Sequence, residues 1–138
     1  MPIIEVKNVF VSVLALVNQD NKVLICKRSE KKDFPGLWEF PGGKLKNNEC
    51  PENALIREVK EELNINLEQS CIAPVTFSSS SYKSYNLIIF LYVARKWQND
   101  LKLNVHQEMR WIKANQLRNY KMPPANKFLI SGLQDLIL

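Results

Sequence analysis

At 138 residues, 46% hydrophobic and 24% charged, the chain has the size and composition of one soluble globular domain with a core of its own, not of a disordered or fibrous protein. A formal net charge of +5 favours an anionic partner, yet no dense Lys/Arg block appears, so no stable nucleic-acid complex is expected. Cys26, Cys50 and Cys71 are odd in number and widely spaced, which fits packing residues in a reducing compartment better than a zinc site or a disulfide framework.

Residues 8–17 are rich in valine and read as a buried strand; the run is too short to span a membrane and lacks the flanks of a signal peptide, so a cytoplasmic protein is expected. A turn at 18–21 leads into a second strand over 22–28. Residues 29–36 form a polar loop closed by Pro35-Gly36, and Lys27, Arg28, Lys31 and Lys32 around it are either a solvated turn or a phosphate-facing group. A short strand at 37–40 then delivers the chain to Pro41-Gly42-Gly43. Pro51 suits the first position of a helix, with Cys50 as a chemically poor cap. That helix is predicted to reach Leu63, with Leu55, Ile56, Val59 and Leu63 as its core stripe and Asn64 ending it in the left-handed conformation. Strands are predicted at 71–77 and 86–94, with the serines at 78–81 in the loop between them. A further strand at 109–113 contains Trp111. A second helix is predicted from Pro123-Pro124 to Leu138, turning Leu129, Leu133, Leu136 and Ile137 inward. His106, the sole histidine, has no Ser or Cys partner in a nucleophile motif, which speaks against triad chemistry.

The chemistry concentrates on the first helix. Glu58, Glu61 and Glu62 stand three and four residues apart, where each like-charge pair costs about 0.2–0.5 kcal/mol. Glu61 and Glu62 also lie in the last turn, where the helix dipole disfavours negative charge. A divalent cation is the natural compensation, since hard cations take carboxylate oxygens and phosphates together. By residue type alone a solvated acidic face is the better reading of the three, Arg57 is an ordinary surface ion pair, and Glu49 is a helix N-terminal charge.

The spacing decides between these readings. Gly43, five residues, Glu49, seven residues, Arg57-Glu58-Val59, one residue, Glu61-Glu62, one residue and Asn64-Ile65 resembles the signature of the Nudix hydrolases at every position but Asn64, which replaces a glycine. The resemblance implies a single Nudix domain over 1–138 with its motif at 43–65, and an α+β fold in which a mixed β-sheet lies between helices. It implies Mg²⁺, with Mn²⁺ as a substitute, held by Glu58, Glu61, Glu62 and the Gly42 carbonyl. It makes Arg57 the residue that orients a catalytic glutamate, and Glu49 a group associated with the metal site.

Trp38-Glu39-Phe40-Pro41-Gly42-Gly43-Lys44 and Pro123-Pro124-Ala125-Asn126 extend the resemblance to the MutT branch, although the second segment reads equally well as a plain helix start. Likeness to that branch implies a monomeric pyrophosphohydrolase that converts 8-oxo-dGTP to 8-oxo-dGMP and pyrophosphate, cleansing the nucleotide pool and so avoiding mutation. Substrate contacts are implied at Arg28, Glu39, Phe40, Lys44 and Asn126. The alternatives are a modified pyrimidine triphosphate, a dinucleoside polyphosphate or a nucleotide sugar as substrate, or a sensor that binds nucleotide without turnover. One position departs from the branch: Val105 stands six residues before Trp111, where a further glutamate is common, and Glu108 is the candidate to replace it as a metal ligand. The general base and the number of metal ions stay open.

Overall fold

The structure, a computed structural model, describes residues 5–137. Strand β1 (Lys7–Leu16) is its spine, because its valines and leucines alternate between two separate cores. It pairs in parallel with β6 (Tyr85–Ala94), from Lys7 opposite Tyr85 to Leu16 opposite Ala94. On its other side it pairs antiparallel with the three-residue strand β4 (Gly42–Lys44). With β5 (Ile72–Ser81) on the far edge, these strands form a mixed sheet in the order β4-β1-β6-β5. A second, antiparallel sheet has the order β3-β2-β7, from Trp38–Glu39, Lys22–Lys27 and Glu108–Lys113.

Helix α1 (Pro51–Leu63) packs Leu55, Val59 and Leu63 against Leu14, Leu16, Leu24 and Cys26. On the opposite side Val13, Ala15, Val23 and Ile25 meet Leu129, Ile130 and Leu133 from the C-terminal segment. Helices thus cover both faces, as the resemblance implied. The α1 termini follow the sequence closely. Pro51 opens the helix, the Cys50 Sγ accepts the Asn53 N–H at 3.4 Å, and Asn64 closes it at φ 65°. The Ser12 hydroxyl donates to the Pro51 carbonyl at 2.8 Å and so pins the helix start to β1.

Two expectations need correction. The serines at 78–81 belong to β5 and not to a loop; the turn is shorter and lies at 82–84. Ser78 is buried and its hydroxyl donates to the Ala125 carbonyl at 3.0 Å, which gives a polar side chain a partner inside the sheet's inner face. The C-terminal helix is also broken, into α2 (Pro124–Lys127) and α3 (Ile130–Leu136). Between them the Leu129 N–H bonds back only three residues, to the Asn126 carbonyl at 3.0 Å. That tighter turn leaves Phe128 and Leu136 exposed while Ala125, Leu129 and Leu133 stay inside. Leu138 lies outside the described residues. Among those residues no helix is long and apolar enough to cross a membrane.

Candidate active site

The Gly42-Gly43 turn is a narrow passage between β1 and α1. Gly42 has φ +150°, and a Cβ there would run into the Ser12 carbonyl. A Cβ on Gly43 would occupy the place of the Glu58 carboxyl group. Two glycines therefore let backbone and a charged helix lie in contact. The Gly42 N–H uses that closeness to donate to Glu62 Oε1 at 2.8 Å.

Beside this turn opens a cavity of about 990 Å³. Val9, Val11, Val13, Leu87 and Ile89 line it from the sheet, Glu58 and Glu62 from α1, and Phe40 and Asn126 from the far side. Arg28, Glu39, Gly42, Gly43 and Lys44 also line it, so most of the residues singled out in the sequence converge here. A smaller cavity of about 490 Å³ near Asn66, Arg95 and Trp97 has none of them.

The three helix glutamates part company. Glu62 is buried and its carboxyl is raised to about 7, chiefly by burial, with the His106 ring and the Gly42 N–H opposing the rise and Glu39 and Glu58 adding to it. Glu58 takes the Arg57 Nη1–H at 2.8 Å. Glu61 is 56% exposed and stands 3.6 Å from the same nitrogen. Arg57 is the hub of this side. Its Nε and Nη2 donate to the two Glu49 oxygens at 2.9 Å each, and Nη2 also reaches the Lys44 carbonyl at 3.0 Å. Those bonds hold the Glu49 carboxyl down to about 2, with the Lys46 N–H contributing, and raise the Arg57 guanidinium above its usual range.

Arg28 is already engaged. Its Nη1 donates to Glu39 Oε1 at 2.5 Å and its Nε to the Asp33 carbonyl at 2.6 Å. The other Glu39 oxygen faces His106 Nε2 at 2.8 Å. Asn126 Oδ1 accepts the Phe40 N–H at 3.2 Å, so the group it can offer the cavity is its Nδ2 donor. Glu108 is set apart: it binds Arg110 at 2.8 Å on an exposed stretch of β7, and Arg110 in turn lies over Trp38.

The residue that motif spacing missed is His106. Among the described residues, Glu39, Glu62 and His106 are the group whose ligand atoms come within 4.8 Å of one another; Glu58 and Glu61 do not join it. The signal lay one position beyond Val105, in the chain's only histidine, but no sequence spacing linked it to Glu39 or Glu62.

An α/β/α sandwich that threads a glycine pair past buried and half-buried helix glutamates has the architecture of a Nudix hydrolase. The NUDIX domain model matches residues 7–132, and the chain belongs to the Nudix family, as a MutT-like hydrolase. It is 32% identical over 95 residues to an 8-oxo-dGTP diphosphatase of Proteus vulgaris, covering 69% of this chain and 83% of that one. It is 29% identical over 125 residues to a CTP pyrophosphohydrolase of Escherichia coli, with 90% of each chain covered. The solution structure of the E. coli ORF135 protein superposes with a TM-score of 0.85 at 26% identity, over 99% of this chain and 95% of that one. Members of this family typically depend on a metal, and the Glu39 and Glu62 carboxylates beside the His106 ring could hold a divalent cation.

Proposed function

We propose that this chain is a Mg²⁺-dependent nucleoside triphosphate pyrophosphohydrolase whose preferred substrate is 8-oxo-dGTP, released as 8-oxo-dGMP and pyrophosphate. The observation that carries the reading is a cavity with Glu58 and Glu62 at one wall and the Asn126 amide at another. Mg²⁺ would be held by Glu58, Glu61 and Glu62, with the Gly42 carbonyl, and would supply charge neutralisation and a water of lowered pKa. Arg57 keeps Glu58 in place through a bidentate grip on Glu49. Lys44 lines the same cavity and adds positive charge for a polyphosphate.

At the other wall Asn126 is committed as acceptor to Phe40, so its free donor favours a base edge bearing an oxo group, such as the O6 of a guanine. Relatives named 8-oxo-dGTP diphosphatase support the oxidised purine. A second reading, CTP or another pyrimidine triphosphate, is favoured by the CTP pyrophosphohydrolase relative, which aligns over more of this chain than the Proteus vulgaris enzyme does. Pyrophosphate release over a panel of normal and oxidised nucleoside triphosphates with Mg²⁺ separates the two. Faster turnover of CTP than of 8-oxo-dGTP at equal subsaturating concentration would replace the first reading by the second.

A further inference from the structure

The loop before β7 is stitched to the site at three points. The Asn104 N–H and Nδ2 donate to the Glu62 and Glu61 carbonyls at 3.0 and 2.9 Å, at the end of α1. The Gln107 N–H and Nε2 donate to the Lys27 and Arg28 carbonyls at 3.1 and 2.8 Å, at the end of β2. Between them His106 projects inward with its side chain 2% exposed. Its Nε2 is 2.8 Å from Glu39 Oε2 and 3.7 Å from Glu62 Oε2. Its Nδ1 is buried and has no partner.

That orphan atom decides how the ring can work. A neutral imidazole has one N–H and one lone pair. To bind a cation through Nε2, His106 would need its proton on Nδ1, leaving a buried N–H with no acceptor, the rarer and costlier kind of orphan. With the proton on Nε2, the donor meets Glu39 and only a lone pair is stranded. Glu39 is then held from both sides, by Arg28 Nη1 on one oxygen and by His106 on the other.

We propose that His106 is a positioning residue that acts as a hydrogen-bond donor: it fixes Glu39 and places the positive end of the imidazole between the half-buried Glu39 and the buried Glu62 carboxylates, so that Glu62 keeps its aim at the cavity. It is not a metal ligand. The part that concerns the cation rests on the proposed hydrolase activity. Loss of such an outer partner lowers metal affinity or activity by about 10–100-fold in metal sites generally.

Because the chain has one histidine, a long-range ¹H–¹⁵N correlation spectrum of the whole protein reports His106 without assignment. At pH 8 the Nε2–H tautomer is expected both without metal and with saturating Mg²⁺. An Nε2 that carries no proton, or one that loses its proton on adding Mg²⁺, would overturn the inference. Mn²⁺ binding, followed by the paramagnetic resonance of the free ion, provides the second arm. His106→Leu should weaken Mn²⁺ binding about 10-fold, and His106→Gln, which retains a donor, should recover most of it. Unchanged or tighter binding in His106→Leu also defeats the proposal. Absence of Mg²⁺-dependent turnover in the wild type would instead defeat the hydrolase reading, since the tautomer is measured independently of it.

Discussion

Glu62→Gln should stabilise the metal-free protein at alkaline pH and leave it unchanged in acid. The Glu62 carboxyl rises from 4.5 to about 7 on folding, mainly through burial. At about 1.4 kcal/mol per unit, an ionised Glu62 costs the fold about 3 kcal/mol. The folded state binds this proton more tightly than the unfolded chain does, so between pH 4.5 and 7 stability falls as pH rises. Below that window both states are protonated and the penalty vanishes; above it the penalty is complete. A glutamine cannot ionise, and its Oε1 can still accept the Gly42 N–H that Glu62 takes at 2.8 Å. Urea titrations of both proteins in chelator, from about pH 4 to about pH 8.5, should therefore show a difference near zero at the acid end. It should grow to about 3 kcal/mol at the alkaline end, a melting shift on the order of 10 °C. Saturating Mg²⁺ at pH 8 should reverse the ranking, because only the wild type gains from the bound ion. A difference that does not vary with pH, or a variant less stable than wild type at pH 8, would refute the claim that Glu62 is an under-compensated buried charge.

Four further positions test separate parts of the site. Arg57→Lys keeps the charge but loses the fork that grips Glu49, Glu58 and the Lys44 carbonyl together, and should lower kcat by about 10²-fold with KM nearly unchanged. A loss in KM alone would make Arg57 a substrate contact. Asn126→Asp keeps the acceptor for the Phe40 N–H and removes the donor. Turnover of 8-oxo-dGTP and of dGTP should both fall at least about 10-fold with the urea midpoint held, since both present the O6 that the donor would meet, whereas Asn126→Ala should also lose about 1–3 kcal/mol by stranding that N–H. Gly43→Ala displaces the Glu58 carboxyl from its place beside Arg57, so kcat should fall while the melting temperature moves little. Gly42→Ala meets the Ser12 backbone at φ +150° and should cost at least about 1–3 kcal/mol, read in a melting scan.

Where sequence signals were local, they were legible. Pro51 and Asn64 mark the ends of α1 because a missing N–H and a left-handed residue are properties of single positions. The glycine pair stood out for the same reason. The serines at 78–81 did not declare a strand, since a run of identical residues carries no alternation and its inward face is defined only by Ala125, far along the chain. The break after Lys127 was hidden because Leu129 and Leu133 keep helical spacing on both sides of it. Likeness to the MutT branch implied a substrate contact at Arg28, but two of its three nitrogens are committed to Glu39 and the Asp33 carbonyl. Only the fold brings those partners together.

The crowding of Glu58, Glu61 and Glu62 looked in the sequence like one excess of negative charge awaiting a divalent metal. In the fold it is two problems. On the outer side the protein supplies its own cation, for Arg57 reaches Glu49 and Glu58 directly and stands 3.6 Å from Glu61. On the inner side Glu62 has an N–H from Gly42 and the edge of the His106 ring, and these do not offset its burial. A divalent ion at this site would therefore gain most from Glu62, while Glu58 is already braced to present an oxygen without moving. The metal requirement and the pH dependence of stability should consequently trace to the same carboxylate, with Mg²⁺ binding tightening as pH rises through about 7 and the Glu62 proton is released. An Mg²⁺ affinity flat across that window, measured calorimetrically on the wild type, would place the ion away from Glu62.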